Sequence, residues 1–188
     1  MFRLLLIALG LCAVCCVRAQ VPAERLKMCG TCHGADGVSL TAGVPSLAGQ
    51  QKVFLENQLV LIREGLRGTE LMQKLMHGVS DKEIVAIAEH YSRATPRPVA
   101  EKKTDATLIE RGRQAAQTHR CGVCHLADHR GQNQVPRIAG QREEYLLESM
   151  RAFRDKPKPG TDTIMSAALY GVTDQELRAL AHFLAREK

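Results

Sequence analysis

Two short clusters of cysteine and histidine carry the clearest chemistry in this chain. They read Cys29-x-x-Cys32-His33 and Cys121-x-x-Cys124-His125. In a C-x-x-C-H motif the two thiols form thioethers with the vinyl groups of a haem, and the histidine becomes an axial ligand of the iron. A redox-active C-x-x-C pair or a zinc site made of two such pairs are the alternatives, but neither requires a histidine after each second cysteine. The motifs therefore predict two covalently bound haem c groups with iron ligated by His33 and His125.

The first nineteen residues predict export. Arg3 precedes an apolar run over residues 4–17, and Val17-Arg18-Ala19 resembles a cleavage site. We predict a signal peptide over residues 1–19, a mature chain that starts at Gln20, and a periplasmic location. An uncleaved membrane anchor is the alternative, although a membrane span needs about 20 apolar residues.

The cysteine count agrees with two haems in an exported protein. Of seven cysteines, three lie in residues 1–19 and the other four form the two motifs. No thiol remains for a disulfide, even in an oxidising compartment. The chain has no tryptophan and only 4% aromatic residues, so two buried porphyrins would add apolar mass to an otherwise weak core.

An internal repeat divides the mature chain. The sequence VPSLAGQ at residues 44–50 recurs as VPRIAGQ at residues 135–141, and GVSDKE at residues 78–83 recurs as GVTDQE at residues 171–176. The offset stays between 91 and 93 residues, which is typical of a duplicated unit. We predict one domain over residues 20–95, a proline-bearing linker over residues 96–104, and a second domain over residues 105–188.

Both units show helical periodicity and no convincing strand, so we predict an all-α fold. Capping boxes, Ser80-x-x-Glu83 and Thr173-x-x-Glu176, mark the start of each last helix. The buried face predicted for these helices comprises Ile84, Ile87, Ala88, Tyr91, Leu177, Leu180, Ala181 and Leu184. A helix over residues 108–118 precedes the second motif, whereas only residues 22–28 are available before the first.

The repeat also selects candidates for the second axial ligand. Methionine can complete the ligation of a haem iron, but it is more often a core residue. Met72 and Met165 both lie six residues before a repeated glycine, Gly78 or Gly171. Met76 and Met150 align with leucines in the other copy, and Met28 has no methionine counterpart. We therefore predict Met72 and Met165 as axial ligands and the others as core.

A proline follows each histidine at a similar distance. Pro45 lies twelve residues after His33, and Pro136 lies eleven after His125. A ligating imidazole usually donates its other N–H to a carbonyl. A proline before an apolar loop is also simply a rigid turn, so the spacing alone leaves both explanations open.

The order of these features resembles a class I cytochrome c domain, and two domains in tandem resemble the bacterial dihaem cytochrome c4 family. The similarity is strongest in CHGADG at residues 32–37 and PSLAGQ at residues 45–50. The resemblance implies two helical lobes related by a pseudo-twofold axis and periplasmic electron transfer towards a terminal oxidase. It also implies that the carbonyls of Pro45 and Pro136 hold the imidazoles of His33 and His125.

Two departures from that family affect the sites. After His125 the chain lacks the Gly-x-x-Gly loop that the family usually repeats in its second domain. His129 lies in this loop, four residues after His125, and is an alternative ligand. Gly112 and Phe183 can form the family's glycine–aromatic helix crossing, but the first unit has His90 in place of the aromatic residue. The remaining histidines, His77, His119 and His182 with His90, are predicted to have surface or packing roles.

Three functions fit these residues: a soluble electron carrier, a fixed haem subunit of a dehydrogenase or oxidase complex, and a dihaem peroxidase. A methionine for each haem argues against an enzyme with an open iron, so we predict a carrier with redox-protein partners and no nucleic-acid partner. Peripheral association with a membrane is compatible with the sequence.

The charge of the two predicted lobes differs. Residues 20–95 carry eight Lys/Arg and eight Asp/Glu, whereas residues 96–188 carry sixteen and twelve, a net charge of +4. This asymmetry predicts that an acidic partner docks on the C-terminal lobe in a salt-sensitive way. An ordinary solvated surface is the alternative.

Overall fold

The structure is a computed structural model that describes residues 22–99, 104–156 and 163–188. Helices are the regular secondary structure of these ranges, and their one β-bridge pairs Gln132 with Val135. The predicted all-α fold is therefore confirmed for the described residues. None of the helices in these ranges is long and apolar enough to cross a membrane. The predicted signal peptide, residues 1–19, lies outside the described residues, as do residues 100–103 of the predicted linker.

The helices fall into two groups along the chain. The first group is α1 (Ala23–His33), α2 (Lys52–Arg63), α3 (Glu70–Met76) and α4 (Asp81–Ser92). The second group is α5 (Ala106–Thr118), α6 (Gly122–His125), α7 (Glu143–Asp155), α8 (Thr163–Ala168) and α9 (Asp174–Leu184). Helix α1 continues through the first C-x-x-C-H motif, beyond the residues 22–28 predicted for it.

Both predicted capping boxes are present and fix where the last helices begin. The Ser80 hydroxyl accepts the Glu83 N–H at 3.3 Å, and the Glu83 carboxylate accepts the Ser80 N–H at 3.1 Å. Thr173 and Glu176 repeat this exchange at 3.2 and 2.8 Å. Each box satisfies amide groups that the first turn of a helix leaves without an intrahelical acceptor.

Each group of helices has its own apolar core, and the faces predicted for α4 and α9 lie at its centre. The eight predicted residues are all at most 2% exposed. Leu55 of α2 and Met76 of α3 join the first core, while Leu146 and Met150 of α7 join the second. The repeat therefore produces two equivalent packing units.

The glycine–aromatic crossing predicted for the second unit is confirmed. Gly112 of α5 packs so closely on α9 that a β-carbon there would lie 2.1 Å from the Ala179 carbonyl oxygen and 2.5 Å from Phe183 Cβ. Helices α5 and α9 form the most extensive helix pair of the described residues. In the first unit α1 makes only slight contact with α4, where an Arg25–Glu83 ion pair spans 3.5 Å.

The described part of the predicted linker runs between the two units. Pro96 packs against Gly49 so tightly that a β-carbon there would lie 2.6 Å from the Pro96 ring, and Pro98 lies beside Gly140. Arg97 pairs with Asp36 at 2.8 Å. Gly49 and Gly140 are equivalent in the repeat, so the linker contacts the same feature of both units.

Candidate haem sites

The first C-x-x-C-H motif occupies the last turns of α1. Cys29 and Cys32 are three residues apart on a helix, so their side chains share one face. Both side chains are half-buried. Burial raises the pKa of the Cys29 thiol, with the nearby Arg25 charge acting in the opposite direction. The helix ends at His33, and its C-cap residue Gly34 has a left-handed φ of 85°.

The second motif has a different backbone path before it. Helix α5 ends at Thr118, and Arg120 has a left-handed φ of 55°. The short helix α6 then carries Cys124 and His125, with Cys121 at its N-cap. Cys121 is half-buried and Cys124 is exposed, and burial raises the pKa of the Cys121 thiol.

The two histidines have matching environments. His33 and His125 are each 7% exposed. Their Nδ1 atoms lie 2.8 Å from the carbonyl oxygens of Pro45 and Pro136 respectively. A carbonyl oxygen can only accept, so Nδ1 carries the proton and Nε2 keeps its lone pair. Burial lowers the pKa of His33, which favours the neutral imidazole that binds a metal.

These contacts fit a haem iron at both positions. A metal-bound histidine typically donates its other ring N–H to a carbonyl or carboxylate, which fixes the tautomer and the ring orientation. Each of these histidines is held in this way and directly follows the second cysteine of a C-x-x-C pair. The sequence left open whether each proline provides a carbonyl acceptor for the imidazole or only a rigid turn. The structure contains the carbonyl acceptor in both units.

The methionines separate into two environments. Met76 and Met150 are 4% and 6% exposed and lie within the two cores. Leu169, which aligns with Met76, is 3% exposed. In contrast, Met72 on α3 and Met165 on α8 are partly buried at the margins of the cores. Met72 and Met165 thus occupy equivalent marginal positions, while the aligned pair Met76 and Leu169 fills the interior.

The divergent loop after His125 keeps the backbone conformation of the first copy without its glycines. Leu126 and His129 have φ values of 69° and 50°, and they align with Gly34 and Gly37, whose φ values are 85° and 77°. The Gly37 carbonyl accepts two backbone N–H groups from residues 47 and 48, at 2.7 and 3.0 Å. The His129 carbonyl accepts the equivalent pair from residues 138 and 139, at 2.9 and 3.1 Å. The loss of glycine in the sequence therefore did not alter this part of the second site.

The His129 side chain packs on the C-terminal helix. It is 6% exposed, its Nδ1 lies 2.6 Å from the Glu187 carboxylate, and its ring meets Phe183 edge-on. The aligned Gly37 has no space for a side chain, because a β-carbon there would lie 2.8 Å from the Tyr91 ring. Leu184 replaces Tyr91 in the second unit, which leaves room for the imidazole.

The other histidines have the surface and packing roles predicted for them. His77 and His90 are exposed, and His119 Nε2 lies 3.0 Å from Glu176. His182 is buried, where its Nε2 accepts the Asp105 N–H at 3.1 Å and its Nδ1 faces Glu143.

Two buried glutamines that sequence reasoning did not single out connect the sites. The Gln141 amide accepts the Ser46 N–H at 2.7 Å and donates to the Ser46 carbonyl at 2.9 Å. In return, the Gln50 amide accepts the Arg137 N–H at 2.6 Å and donates to the Arg137 carbonyl at 3.0 Å. The repeated Gly-Gln dipeptide was the available signal, but it did not indicate a partner in the other unit.

Comparison with known proteins agrees with this architecture. The sequence model of the cytochrome c family matches residues 109–187. The chain is 28% identical to a cytochrome c4 of Pseudomonas aeruginosa, over 96% of this chain and 94% of that protein. It is 30% identical to a thiosulfate dehydrogenase electron acceptor of Stutzerimonas stutzeri, over 84% of this chain and 77% of that protein. The solved structure of reduced cytochrome c4 from Pseudomonas stutzeri superimposes with a TM-score of 0.79 at 24% identity, covering 89% of this chain and all of that one.

The similarities to these relatives and to the solved structure extend across both repeats, whereas the family model matches the second repeat, so two haem-binding units are covered rather than one. They confirm the predicted fold of two tandem class I cytochrome c domains and the predicted pair of covalently bound haem c groups. They also confirm the prediction of an electron carrier, rather than an enzyme, that exchanges electrons with redox-protein partners. The chain belongs to the dihaem cytochrome c4 family of electron-transfer proteins.

Proposed function

We propose that this protein carries single electrons in the periplasm between partners of a respiratory chain, towards a terminal oxidase. The covalent attachment sites are Cys29 and Cys32 for one haem and Cys121 and Cys124 for the other. His33 with Met72 and His125 with Met165 would hold the two irons as axial ligands. The observation that carries this proposal is the 2.8 Å contact from each histidine Nδ1 to a proline carbonyl, present in both units.

The residues around each iron suit electron transfer more than substrate chemistry. When bound, haem iron supplies a reversible one-electron change between its ferrous and ferric states. The carbonyls of Pro45 and Pro136 keep each imidazole in one tautomer, so the ligand does not reorganise when the charge changes. A methionine thioether from Met72 or Met165 would raise the potential relative to a second histidine. With a histidine and a methionine for each haem, the residues would leave no open iron for peroxide.

A spectroelectrochemical titration of the holoprotein tests this ligation. We expect two one-electron waves and, in the ferric protein, the weak absorbance at the red edge that His/Met ligation gives. Carbon monoxide should not bind to the reduced protein. A haem that binds carbon monoxide in the unmodified protein would contradict the proposed ligand set and favour a peroxidase.

We further propose that the mature protein consists of a domain over residues 20–95, a linker over residues 96–104 and a domain over residues 105–188. The signal peptide over residues 1–19 would be removed during export to the periplasm. The intact mass of the denatured protein should equal residues 20–188 plus two haems. A mass that includes residues 1–19 would instead indicate a retained anchor.

A second candidate function is that of a haem subunit that accepts electrons from a dehydrogenase in a fixed complex. The relative named as a thiosulfate dehydrogenase electron acceptor favours this alternative. Co-purification at low and high salt separates the two functions. A carrier should elute alone under both conditions, whereas a fixed subunit should bring its dehydrogenase with it.

The docking face is proposed to lie on the C-terminal lobe, where the sequence has its excess of positive charge. Arg111 and Arg120 are exposed there. Their double replacement by glutamine should slow reduction by an acidic donor at low ionic strength and reduce its salt dependence. Lys74→Gln, at an exposed position of the N-terminal lobe, is the matched control and should have a smaller effect. Rates that do not respond to ionic strength in the unmodified protein would contradict this docking mode.

A further inference from the structure

The two glutamines that cross between the lobes contact the peptide groups that hold the haem histidines. Pro45 supplies the carbonyl that accepts from His33, and the N–H of the same peptide group belongs to Ser46. That N–H donates to Gln141 Oε1 at 2.7 Å. One continuous chain of hydrogen bonds therefore runs from the imidazole of the N-terminal lobe, through one peptide group, to a side chain of the C-terminal lobe.

The opposite lobe contains the same chain in reverse. The Pro136 carbonyl accepts from His125, and the N–H of that peptide group, on Arg137, donates to Gln50 Oε1 at 2.6 Å. Gln50 and Gln141 are 5% and 7% exposed, so water competes little for these bonds. Hydrogen bonds in series strengthen one another in a low-dielectric interior.

The orientation of each glutamine amide is fixed by its contacts. Gln141 Oε1 also accepts the N–H of Arg142 at 2.9 Å, and Gln50 Oε1 accepts the N–H of Gln51 at 3.2 Å. A backbone N–H can only donate, so the atom facing it must be the amide oxygen. The amide NH₂ then donates to a backbone carbonyl of the other lobe. Each side chain is thus held in the orientation that polarises its partner peptide.

We propose that Gln50 and Gln141 are positioning residues that tune the haem of the opposite lobe. An acceptor on the peptide N–H makes the proline carbonyl a stronger acceptor for the imidazole N–H. The imidazole then gains anionic character and stabilises ferric iron, so each glutamine lowers the reduction potential of the other lobe's haem. This inference rests on the proposed axial roles of His33 and His125.

Methionine at these positions provides the test, because it keeps the length of glutamine but cannot bond to the peptide. In the holoprotein, Gln141→Met should move the potential of the N-terminal haem upwards and leave the C-terminal haem nearly unchanged. Gln50→Met should do the reverse. We expect about a tenfold change in the ferric-to-ferrous equilibrium constant, the lower end of the scale on which an outer contact acts on a bound metal. Spectroelectrochemistry gives the potentials, and the paramagnetically shifted haem-methyl NMR signals assign each to its lobe.

Gln51→Met is the matched control for weakening of the interface. The Gln51 amide also crosses between the lobes, to the carbonyls of Arg130 and Gly131 at 3.0 and 3.2 Å. Neither of these peptide groups accepts from a haem-histidine imidazole, because the Gly131 N–H reaches only the backbone carbonyl of His125. This variant should change neither potential. Gln141→Glu keeps an acceptor for the Ser46 N–H, so its N-terminal potential should be no higher than that of the unmodified protein, and it also serves if Gln141→Met does not fold.

A crossed pattern, in which each glutamine moves only the other lobe's potential, supports the proposal. Equal shifts at both haems, shifts within the same lobe, or a Gln51→Met variant that behaves like Gln141→Met would overturn it and leave the glutamines as interface contacts only. His33→Gly tests the underlying assignment separately. If the N-terminal haem of that variant kept its His/Met spectrum, the proposed ligation of that haem would be wrong.

Discussion

Replacing Gly112 by alanine should destabilise the C-terminal lobe, although alanine is the better helix former. The added β-carbon would lie 2.1 Å from the Ala179 carbonyl oxygen and 2.5 Å from Phe183 Cβ. An ordinary carbon–oxygen contact is about 3.3 Å or longer. The clashing atoms belong to the backbone of α9 and to the base of a side chain, so no rotamer change relieves the overlap. Helices α5 and α9 must therefore move apart by on the order of 1 Å.

The magnitude follows from two opposing contributions. Overpacking a well-filled contact costs about 1–3 kcal/mol, and two backbone-level overlaps belong at the upper end of that range. Exchanging a helical glycine for alanine returns about 1 kcal/mol. The net loss should be about 2 kcal/mol in the free energy of unfolding. For a unit of this size that corresponds to a decrease in Tm of roughly 8–16 °C.

Thermal and urea unfolding of the holoprotein, followed by helical circular dichroism and by Soret absorbance, would measure this loss. Gln117→Ala, at an exposed position on the same helix, is the control and should change stability by less than about 0.5 kcal/mol. A Gly112→Ala protein as stable as the unmodified one, or more stable, would mean that helix propensity outweighs the close approach of α5 and α9. The reasoning from packing would then be wrong.

Three other experiments test separate features. Met72→Ala should open the first haem to carbon monoxide and abolish the red-edge band of that haem. Met76→Ala should keep the ligation but cost about 2–5 kcal/mol of stability, because that side chain is only 4% exposed. The reverse result would show that the two repeats are misaligned in this loop. Arg120→Gly should stabilise the protein by about 1 kcal/mol in urea unfolding, because the left-handed φ of 55° strains any residue with a β-carbon. Arg111→Gly, inside the preceding helix α5, should destabilise it by about the same amount. Hydrogen bonds from Thr173 and then His119 lower the pKa of Glu176 to about 2. The resulting stability is present above the unfolded pKa of about 4.3 and is lost as the pH falls towards 2. Glu176→Gln should therefore reduce the pH dependence of the free energy of unfolding in that window, and an unchanged acid profile would contradict this account.

The features that the sequence predicted correctly are those encoded by neighbouring residues. The capping box of Thr173 and Glu176 involves residues three apart, and the buried face of α9 repeats every three to four residues. Helical geometry alone converts such spacing into structure. The duplication adds information that one copy lacks, because the alignment of the two copies distinguishes Met72 from Met76. The structure places Met76 inside the first core and Met72 at its margin.

The features that the sequence did not reveal depend on distant contacts. The left-handed backbone at His129 is maintained by N–H groups of residues 138 and 139. The local preference of glycine for this conformation therefore did not predict the backbone of a loop that lacks glycine there. Helix α1 continues to His33, beyond residues 22–28 that precede the motif, although it contains Gly30, a residue that disfavours helix interiors. The partners of Gln50 and Gln141 are 87 and 95 residues away, and no local pattern specifies such a pairing.

The glutamine contacts also have a consequence for how the molecule assembles. Each lobe presents the same donor and acceptor groups to the other, which is the geometry of an isologous interface in a symmetric homodimer. Because the glutamines bond only to backbone atoms, the contacted residue is free to be Ser46 in one lobe and Arg137 in the other. A short tether also gives the partner patch an effective concentration in the millimolar range. The two lobes therefore pair the hydrogen-bonding groups of this interface with each other, like a dimer within one polypeptide, while the sequences of the two halves remain free to diverge.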